Sequence, residues 1–168
     1  VYPPQPLTVL AHAFGNKGWN ASKGEDRYRR SVYTFVKRTA PFAGHMTFDG
    51  TSGENCLARR DRSNTPLQAL TLLNDEMFLE LARAAGEEVH LQKKDPVLNL
   101  FRRFLTRPPS SEETKALQAY LNQQIERLKK GELNPEEIAA DKKATPELAG
   151  KVLLARAIMN LDEAITKP

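Results

Sequence analysis

Four times in this chain, a short polar residue and a proline stand together in front of an apolar segment with helical spacing. A Thr, Asp or Asn side chain accepts a hydrogen bond from a free amide of the first helical turn, and proline at the first helical position loses nothing through its missing N–H. Each such pair therefore predicts the start of an α-helix. The pairs are Thr65-Pro66, Asp95-Pro96, Asn134-Pro135 and Thr145-Pro146.

The segment after the first pair predicts two consecutive helices. Leu67, Leu70 and Leu73 form one apolar stripe. Asn74-Asp75 can then cap a second helix, whose apolar face continues to about residue 91. We therefore predict a bend near Asn74.

The later helices have similarly clear ends. The helix after Asp95 must stop before the Pro108-Pro109 pair, because the residue before a proline avoids helical geometry. Ser110 and Glu113 have the spacing of a capping box, and the helix that they open is predicted to stop at Gly131. A short charged helix over residues 135–142 and a longer one after Pro146 complete the series.

No alternating strand pattern bounded by hairpin turns occurs in the sequence, so the predicted fold class is all-α. Short connections favour antiparallel packing, and we predict an irregular N-terminal arm and a long loop packed on a bundle of about five to seven helices. Residues 1–64 are predicted to form a Pro/Gly-rich arm, a basic helix and a long ordered loop. Residues 65–168 are predicted to form the bundle, and both parts together one domain of a larger parent protein.

The first residues are rich in Pro and Gly, which favour irregular backbone. Phe14 and Trp19 are the predicted aromatic anchors of this arm. Ser22 and Glu25 have capping-box spacing, and the pattern after them predicts a helix over residues 25–38. A strand is the competing interpretation, because residues 32–36 are good strand formers. Residues 39–64 are predicted to be a long connection of the kind that is usually functional or part of an interface.

The net charge of the chain limits which kinds of partner it favours. There are 25 Lys and Arg against 21 Asp and Glu, a formal net charge of +4, which favours polyanions over cations without selecting one. No apolar run approaches the roughly 20 residues needed to cross a bilayer, and no signal-peptide pattern is present. We therefore expect a mature or excised piece with no membrane span. Cys56 is the single cysteine, so there is no internal disulfide and no Cys-x-x-Cys-His motif for haem.

Six arginines form the candidate site for an anion or a protein partner. The planar guanidinium suits two-point contact with sulfate, phosphate or carboxylate. The alternative is that these side chains pair with nearby acids and hold the long loop in place. The six are Arg27, Arg30, Arg38, Arg59, Arg60 and Arg62.

Three acidic residues form a candidate polar cluster that could supply paired carboxylates for acid–base chemistry: Asp49, Glu54 and Asp61. The chain has no glycine-rich phosphate loop and no serine nucleophile elbow. No catalytic residue is therefore assigned.

The histidines His12, His45 and His90 lie far apart, and no metal site is predicted. Cys56 and His45 could meet in space as nucleophile and base. A small buried cysteine is the favoured interpretation of Cys56.

Several short blocks of this chain stand in a recognisable order. They are Tyr2-Pro3-Pro4-Gln5-Pro6, Gly24-Glu25-Asp26-Arg27-Tyr28-Arg29-Arg30-Ser31, Tyr33-Thr34-Phe35, Lys37-Arg38-Thr39-Ala40-Pro41, Thr47-Phe48-Asp49, Glu54, Cys56, Arg59-Arg60, Asn64 to Asp75, and Asn160-Leu161-Asp162-Glu163. In this set the chain resembles domain of unknown function 1553, found at the C-terminal end of large planctomycete proteins that carry a cytochrome-c-like domain.

The resemblance implies an extracytoplasmic setting, periplasmic or secreted, and upstream domains of the parent protein as partners. It implies that haem c is held by another domain, and that no cofactor is bound in this chain. Family members are associated with polysaccharide breakdown, but the resemblance implies no catalytic residue.

Three functions follow as hypotheses. The leading one is a helical C-terminal module of an exported, cytochrome-c-linked protein that acts as a structural and binding partner of the upstream domains, in polysaccharide utilisation. The second is one side of the active-site cleft of a polysaccharide-processing enzyme. The third is binding of a polyanion such as nucleic acid through the basic surface, which is less favoured because no nucleic-acid motif is present.

Overall fold

The computed structural model of this chain describes residues 1–5, 19–37, 41–51, 58–59, 63–93 and 95–166. Within these ranges, the regular elements are α-helices and short 3-10 turns, and no strand occurs. The predicted all-α class is confirmed. The chain divides into two compact units, which we call the N-terminal unit (Val1–Gln68) and the helical unit (Ala69–Pro168).

The described residues of the N-terminal unit have little regular structure. Among them are two 3-10 turns, Gly24–Tyr28 and Ser31–Tyr33, and a short helix α1, Ala43–Thr47. The predicted α-helix over residues 25–38 is wrong, because the backbone is extended again at Thr34 (φ −69°, ψ 131°).

Hydrogen bonds to the first residues of the chain explain this correction. The capping box predicted for Ser22 does not form, since its Oγ accepts instead from the Tyr2 N–H at 2.9 Å. The Ser22 N–H donates to the Tyr2 carbonyl at 2.7 Å, and the Phe35 N–H donates to the Val1 carbonyl at 2.8 Å. An amide engaged in this way cannot donate to the carbonyl four residues earlier, as an α-helix requires.

Trp19 anchors the beginning of the chain, as predicted. Its indole N–H donates to the Pro3 carbonyl at 2.7 Å. The Tyr2 ring lies edge-on to Trp19 at 5.4 Å and against Phe35 at 5.0 Å, separations at which aromatic pairs attract. The other predicted anchor, Phe14, lies outside the described residues.

In the described part of the chain, seven further helices follow α1. None of the described helices combines the length and the apolar character that crossing a membrane requires. The helices are α2 (Pro66–Asn74), α3 (Glu76–Gln92), α4 (Pro96–Leu105), α5 (Ser111–Lys129), α6 (Pro135–Ala139), α7 (Pro146–Met159) and α8 (Asp162–Ile165).

The predicted helix starts are confirmed. The bend near Asn74 is present as well, with α2 ending there and the Asp75 carboxylate accepting from the Met77 N–H at 2.9 Å. Both halves of the capping box of Ser110 and Glu113 form. The capping side chains before a proline are Thr65, Asp95, Asn134 and Thr145, each accepting from an amide two or three residues onward.

Helix α7 forms the centre of the helical unit. It packs against α3, α4, α5, α6 and α8. It therefore buries side chains on most of its circumference, which is the expected pattern for a fully surrounded helix. Its buried residues are Ala149, Gly150, Val152, Leu154, Ala155, Ile158 and Met159.

Small residues let α7 approach its neighbours closely. A Cβ placed on Gly86 of α3 would lie 2.8 Å from Val152 Cγ2 and 2.9 Å from the Val152 backbone nitrogen. A Cβ on Gly150 of α7 would lie 2.6 Å from Ile125 Cγ1 of α5. Both distances are too short for a real contact. Backbone blocks a Cβ at position 86, whereas at position 150 the Ile125 side chain would have to shift.

An arginine after α4 connects distant parts of the helical unit. The Arg107 guanidinium donates to both carboxylate oxygens of Glu113, at 2.7 and 3.0 Å, and to both of Glu163, at 2.6 and 2.8 Å. It also lies over the Phe101 ring, 4.8 Å from the centroid. The Glu163 carboxylate thus connects α8 to the residues that follow α4.

Gly86→Ala tests the close packing of α3 on α7. Helix propensity alone predicts that this change stabilises the protein by about 1 kcal/mol. We expect instead a loss of about 1–3 kcal/mol from overpacking, measured as the free energy of unfolding in urea.

The control for this change is Ala84→Gly at an exposed position of the same helix. It should cost about 1 kcal/mol from propensity alone. A Gly86→Ala variant as stable as the parent chain would contradict the proposed contact.

The Arg107 cluster predicts a pH dependence. Hydrogen bonds from Arg107 lower the pKa of Glu113 from 4.5 to about 2. Because the folded pKa lies below the unfolded one, this group stabilises the fold fully above about pH 4.5, and the contribution is lost as the pH falls toward 2. We expect a carboxyl NMR titration of Glu113 to show the low midpoint, and Arg107→Gln to move it toward the ordinary value. An unchanged midpoint in that variant would refute the role of Arg107.

Candidate functional site

One member of the predicted acidic cluster, Asp49, lies at the centre of a hydrogen-bonded group. It follows α1 with a left-handed backbone (φ 56°), which is uncommon outside glycine. Its carboxylate accepts from the Ser63 N–H at 2.8 Å and from the Ser63 hydroxyl at 2.8 and 2.9 Å. Asp49 therefore fixes the position of Ser63, which lies shortly before the start of α2 at Pro66.

Gln68 completes this group from the first turn of α2. It is 1% exposed, and its amide nitrogen donates to the Thr47 carbonyl at 2.9 Å and to the Ser63 hydroxyl at 3.0 Å. Its amide oxygen accepts from the Thr65 N–H at 3.0 Å, while its own backbone N–H donates to the Thr65 hydroxyl at 3.3 Å. We call the five residues Thr47, Asp49, Ser63, Thr65 and Gln68 the Gln68 clasp.

The clasp has the chemistry of a structural element. Hydrogen bonds from the Ser63 hydroxyl, and then from the Ser63 amide, lower the pKa of Asp49. A carboxylate held ionised in this way has no proton to donate near neutral pH, and its oxygens are already engaged. Asp49 is therefore unsuited to be the general acid of a hydrolytic pair, whose pKa must be raised.

The Leu67, Leu70 and Leu73 stripe on α2 is largely exposed. Leu67 is 60% and Leu70 58% exposed, whereas Gln68 is buried. Sequence reasoning missed the role of Gln68, although a signal was present: Thr65-x-x-Gln68 has the spacing of a capping box. That signal predicts the bonds to Thr65 but not the burial.

The structure describes half of the six candidate arginines. Arg27 is half-buried, while Arg30 and Arg59 are exposed. Their convergence into one anion-binding surface stays a prediction, as does the alternative of internal pairing. Outside the described residues lie Arg38, Arg60, Arg62, Glu54 and Asp61.

Large apolar side chains are exposed around these arginines. Within Tyr28–Val36, Val32 is 77% and Val36 61% exposed. Arg29 in the same segment pairs with Asp26 at 2.6 Å and lies over the Tyr33 ring at 5.8 Å. We call residues 28–36 the exposed segment, whose other exposed apolar side chains are Tyr28, Tyr33 and Phe35.

No group of three or more His, Cys, Asp or Glu side chains suited to a metal ion occurs among the described residues. His45 packs edge-on against Phe42, with ring centroids 5.3 Å apart. Cys56, its hypothetical nucleophile partner, lies outside the described residues, as does His12. His90 Nδ1 lies 3.3 Å from Lys151 Nζ.

Comparison with protein families finds a match over most of the chain. The model of the PSD1 family, described as a protein of unknown function (DUF1553), matches residues 1–121, which is more than half of the chain. No curated protein and no solved structure matches.

Gln68→Glu tests the clasp. The change removes the donors to Thr47 and Ser63 and places a second carboxylate beside Asp49. We expect a loss of about 1–3 kcal/mol in the free energy of unfolding at neutral pH. Urea unfolding followed by the fluorescence of Trp19, the single tryptophan, measures it.

The control for this test is Gln123→Glu, at an exposed position of α5. The introduced carboxyl at position 68 should have a raised pKa, so part of the loss should be recovered between about pH 7 and pH 5 as it protonates. Equal effects of the two substitutions would refute the clasp.

Proposed function

The chain belongs to the PSD1 family of proteins of unknown function (DUF1553), and we propose that it is a non-catalytic helical module that binds the preceding domains of a larger protein. Its binding surface would be the exposed segment, residues 28–36.

The exposure of this segment carries the proposal. Exposure of apolar side chains such as Val32 (77% exposed) and Val36 (61%) to water is unfavourable. Contiguous exposed apolar residues therefore mark interaction sites. Two of the exposed residues are tyrosines, a residue type enriched in protein interfaces because its ring is apolar and its hydroxyl polar.

The charges of the segment indicate what its partner looks like. Arg29 and Arg30 are exposed beside the apolar side chains. An apolar centre with a charged rim is the usual anatomy of an interface between proteins. The partner surface would thus present apolar residues with acidic residues at its edge, which fits the mild positive charge of this chain.

The proposal also covers the kind of parent protein to which the chain belongs and where that protein acts. The resemblance of the sequence blocks supports an exported parent protein with a cytochrome-c-like domain, acting in polysaccharide utilisation. In such a protein, haem c would be held by that other domain, since this chain has a single cysteine and cannot supply a Cys-x-x-Cys-His motif.

The other two hypotheses have less support. A polysaccharide-processing cleft built on the predicted carboxylates would need a proton donor, and Asp49 is held ionised by Ser63. Nucleic-acid binding would use the arginines alone, without the stacking side chains and the motif that usually accompany them.

The proposed surface can be tested by mutation. We expect Val32→Asp to weaken binding of the 168-residue chain to the remainder of its parent protein, expressed separately, by about ten- to a hundredfold. The reason is that an interface that buries Val32 would have to bury a carboxylate in the variant. Isothermal titration calorimetry measures the two Kd values.

A matched control comes from Leu91→Asp, since Leu91 is 71% exposed in α3 of the helical unit. This variant should bind like the parent chain. Binding that is insensitive to Val32→Asp, or equally sensitive to both changes, would reject the exposed segment as the contact surface.

A further inference from the structure

The helical unit contains a cleft that the proposed binding function does not use. Its volume is about 430 Å³, within the range of sites for small molecules. It lies between the end of α2, the middle of α5 and the last turns of α7. The lining residues are Leu73, Tyr120, Leu153, Arg156, Ala157 and Asn160.

Arg156 has no counter-ion among the described residues. Its Nη2 donates to the Leu73 carbonyl at 2.7 Å, where α2 ends. Its Nε is buried and has no hydrogen-bond partner. It also forms no ion pair with a carboxylate in the part of the chain that the structure describes. A buried guanidinium donor without an acceptor is costly, so a ligand that supplies one is stabilised there.

Arg83 offers a comparison, because it too donates hydrogen bonds to carbonyls at the end of a helix. Its Nε donates to the Ile138 carbonyl at 3.0 Å and its Nη2 to the Glu137 carbonyl at 3.2 Å. Closing a helix end therefore accounts for both Nε and Nη2 of Arg83. It explains only one of the nitrogens of Arg156.

A second unused polar atom lies one turn further along. The side-chain oxygen of Asn160, at the end of α7, is buried and has no hydrogen-bond partner. That oxygen can only accept, so it does not bond to a carboxylate, whereas the amide nitrogen of the same side chain can donate to one.

Tyr120 supplies a third polar group. Burial raises the pKa of its hydroxyl, and the charges of Arg156 and Arg127 oppose that shift. The phenol is therefore protonated at neutral pH and able to donate. Leu73, Leu153 and Ala157 make the rest of the lining apolar.

We propose that this cleft binds a small monocarboxylate with an apolar body, whose carboxylate pairs with Arg156 and whose body packs on Leu153 and Ala157. One guanidinium without a counter-ion matches a single negative charge, and its fork suits a carboxylate. A dianion such as phosphate would bring a second charge that no other cation of the lining neutralises. Arg156 Nε and the Asn160 side-chain oxygen are both buried. The two side chains must therefore rotate toward the ligand, which is a common change on binding.

The test is an NMR titration of the whole 168-residue chain with isovalerate, phenylacetate and their neutral primary amides, and with inorganic phosphate. We expect the carboxylates to shift the Arg156 Nε–H resonance at millimolar concentration. The amides have the same shape without the charge, and should bind at least about tenfold more weakly, because Arg156 then donates to a neutral carbonyl instead of pairing with an opposite charge. Phosphate should bind more weakly than either carboxylate.

Three variants separate binding from folding. Arg156→Gln should abolish carboxylate binding, whereas Arg83→Gln, which also opens a helix end, should leave it unchanged. Ala157→Leu should block the cleft and weaken binding about tenfold or more while Arg156 stays in place. The proposal is overturned if carboxylates do not bind, if the amides or phosphate bind as tightly, or if Ala157→Leu has no effect in a folded chain.

Discussion

The fold of the helical unit depends on how closely other helices approach α7. At Gly86 the backbones come so near that a Cβ would overlap with the Val152 backbone, and at Gly150 a Cβ would overlap with the Ile125 side chain. This contact places α3 and α5 on α7 and buries α7 on most of its surface. Close packing fixes the position of each helix relative to its neighbours, because a dense interior cannot adjust to a displaced helix. The last turns of α7, which bear Arg156 and Asn160, owe their placement to it.

Arginines that reach across the chain complete this arrangement. The carbonyls of a last helical turn have no partner within their own helix. Arg83 satisfies those at the end of α6, and Arg156 one at the end of α2. Arg107 instead binds two acids, Glu113 at 6 residues and Glu163 at 56 residues from it in sequence. These guanidinium groups therefore connect parts of the helical unit through hydrogen bonds, in addition to the apolar packing.

The described part of the N-terminal unit is held by hydrogen bonds and aromatic contacts instead of helix packing. Its described part contains one short helix, and the Gln68 clasp is satisfied at nearly every polar atom. This difference affects how each acidic or basic residue should be interpreted. Asp49 looked like a candidate for acid–base chemistry, but its oxygens hold Ser63. Meanwhile the exposed segment leaves apolar side chains in water, which a purely structural role does not explain.

The sequence by itself determined the all-α class, the helix starts at Thr65, Asp95, Asn134 and Thr145, and the bend at Asn74. These features depend on side chains that bond to amides two or three residues away, so a short window contains both partners. Only the tertiary structure decided that Ser22 would bind Tyr2 instead of capping a helix, and that Gln68 would be buried while Leu67 is exposed. Those outcomes depend on partners 20 and 21 residues distant, whose approach no local pattern encodes. The same holds for the cleft at Arg156, because its walls come from three helices whose meeting is set by the packing on α7.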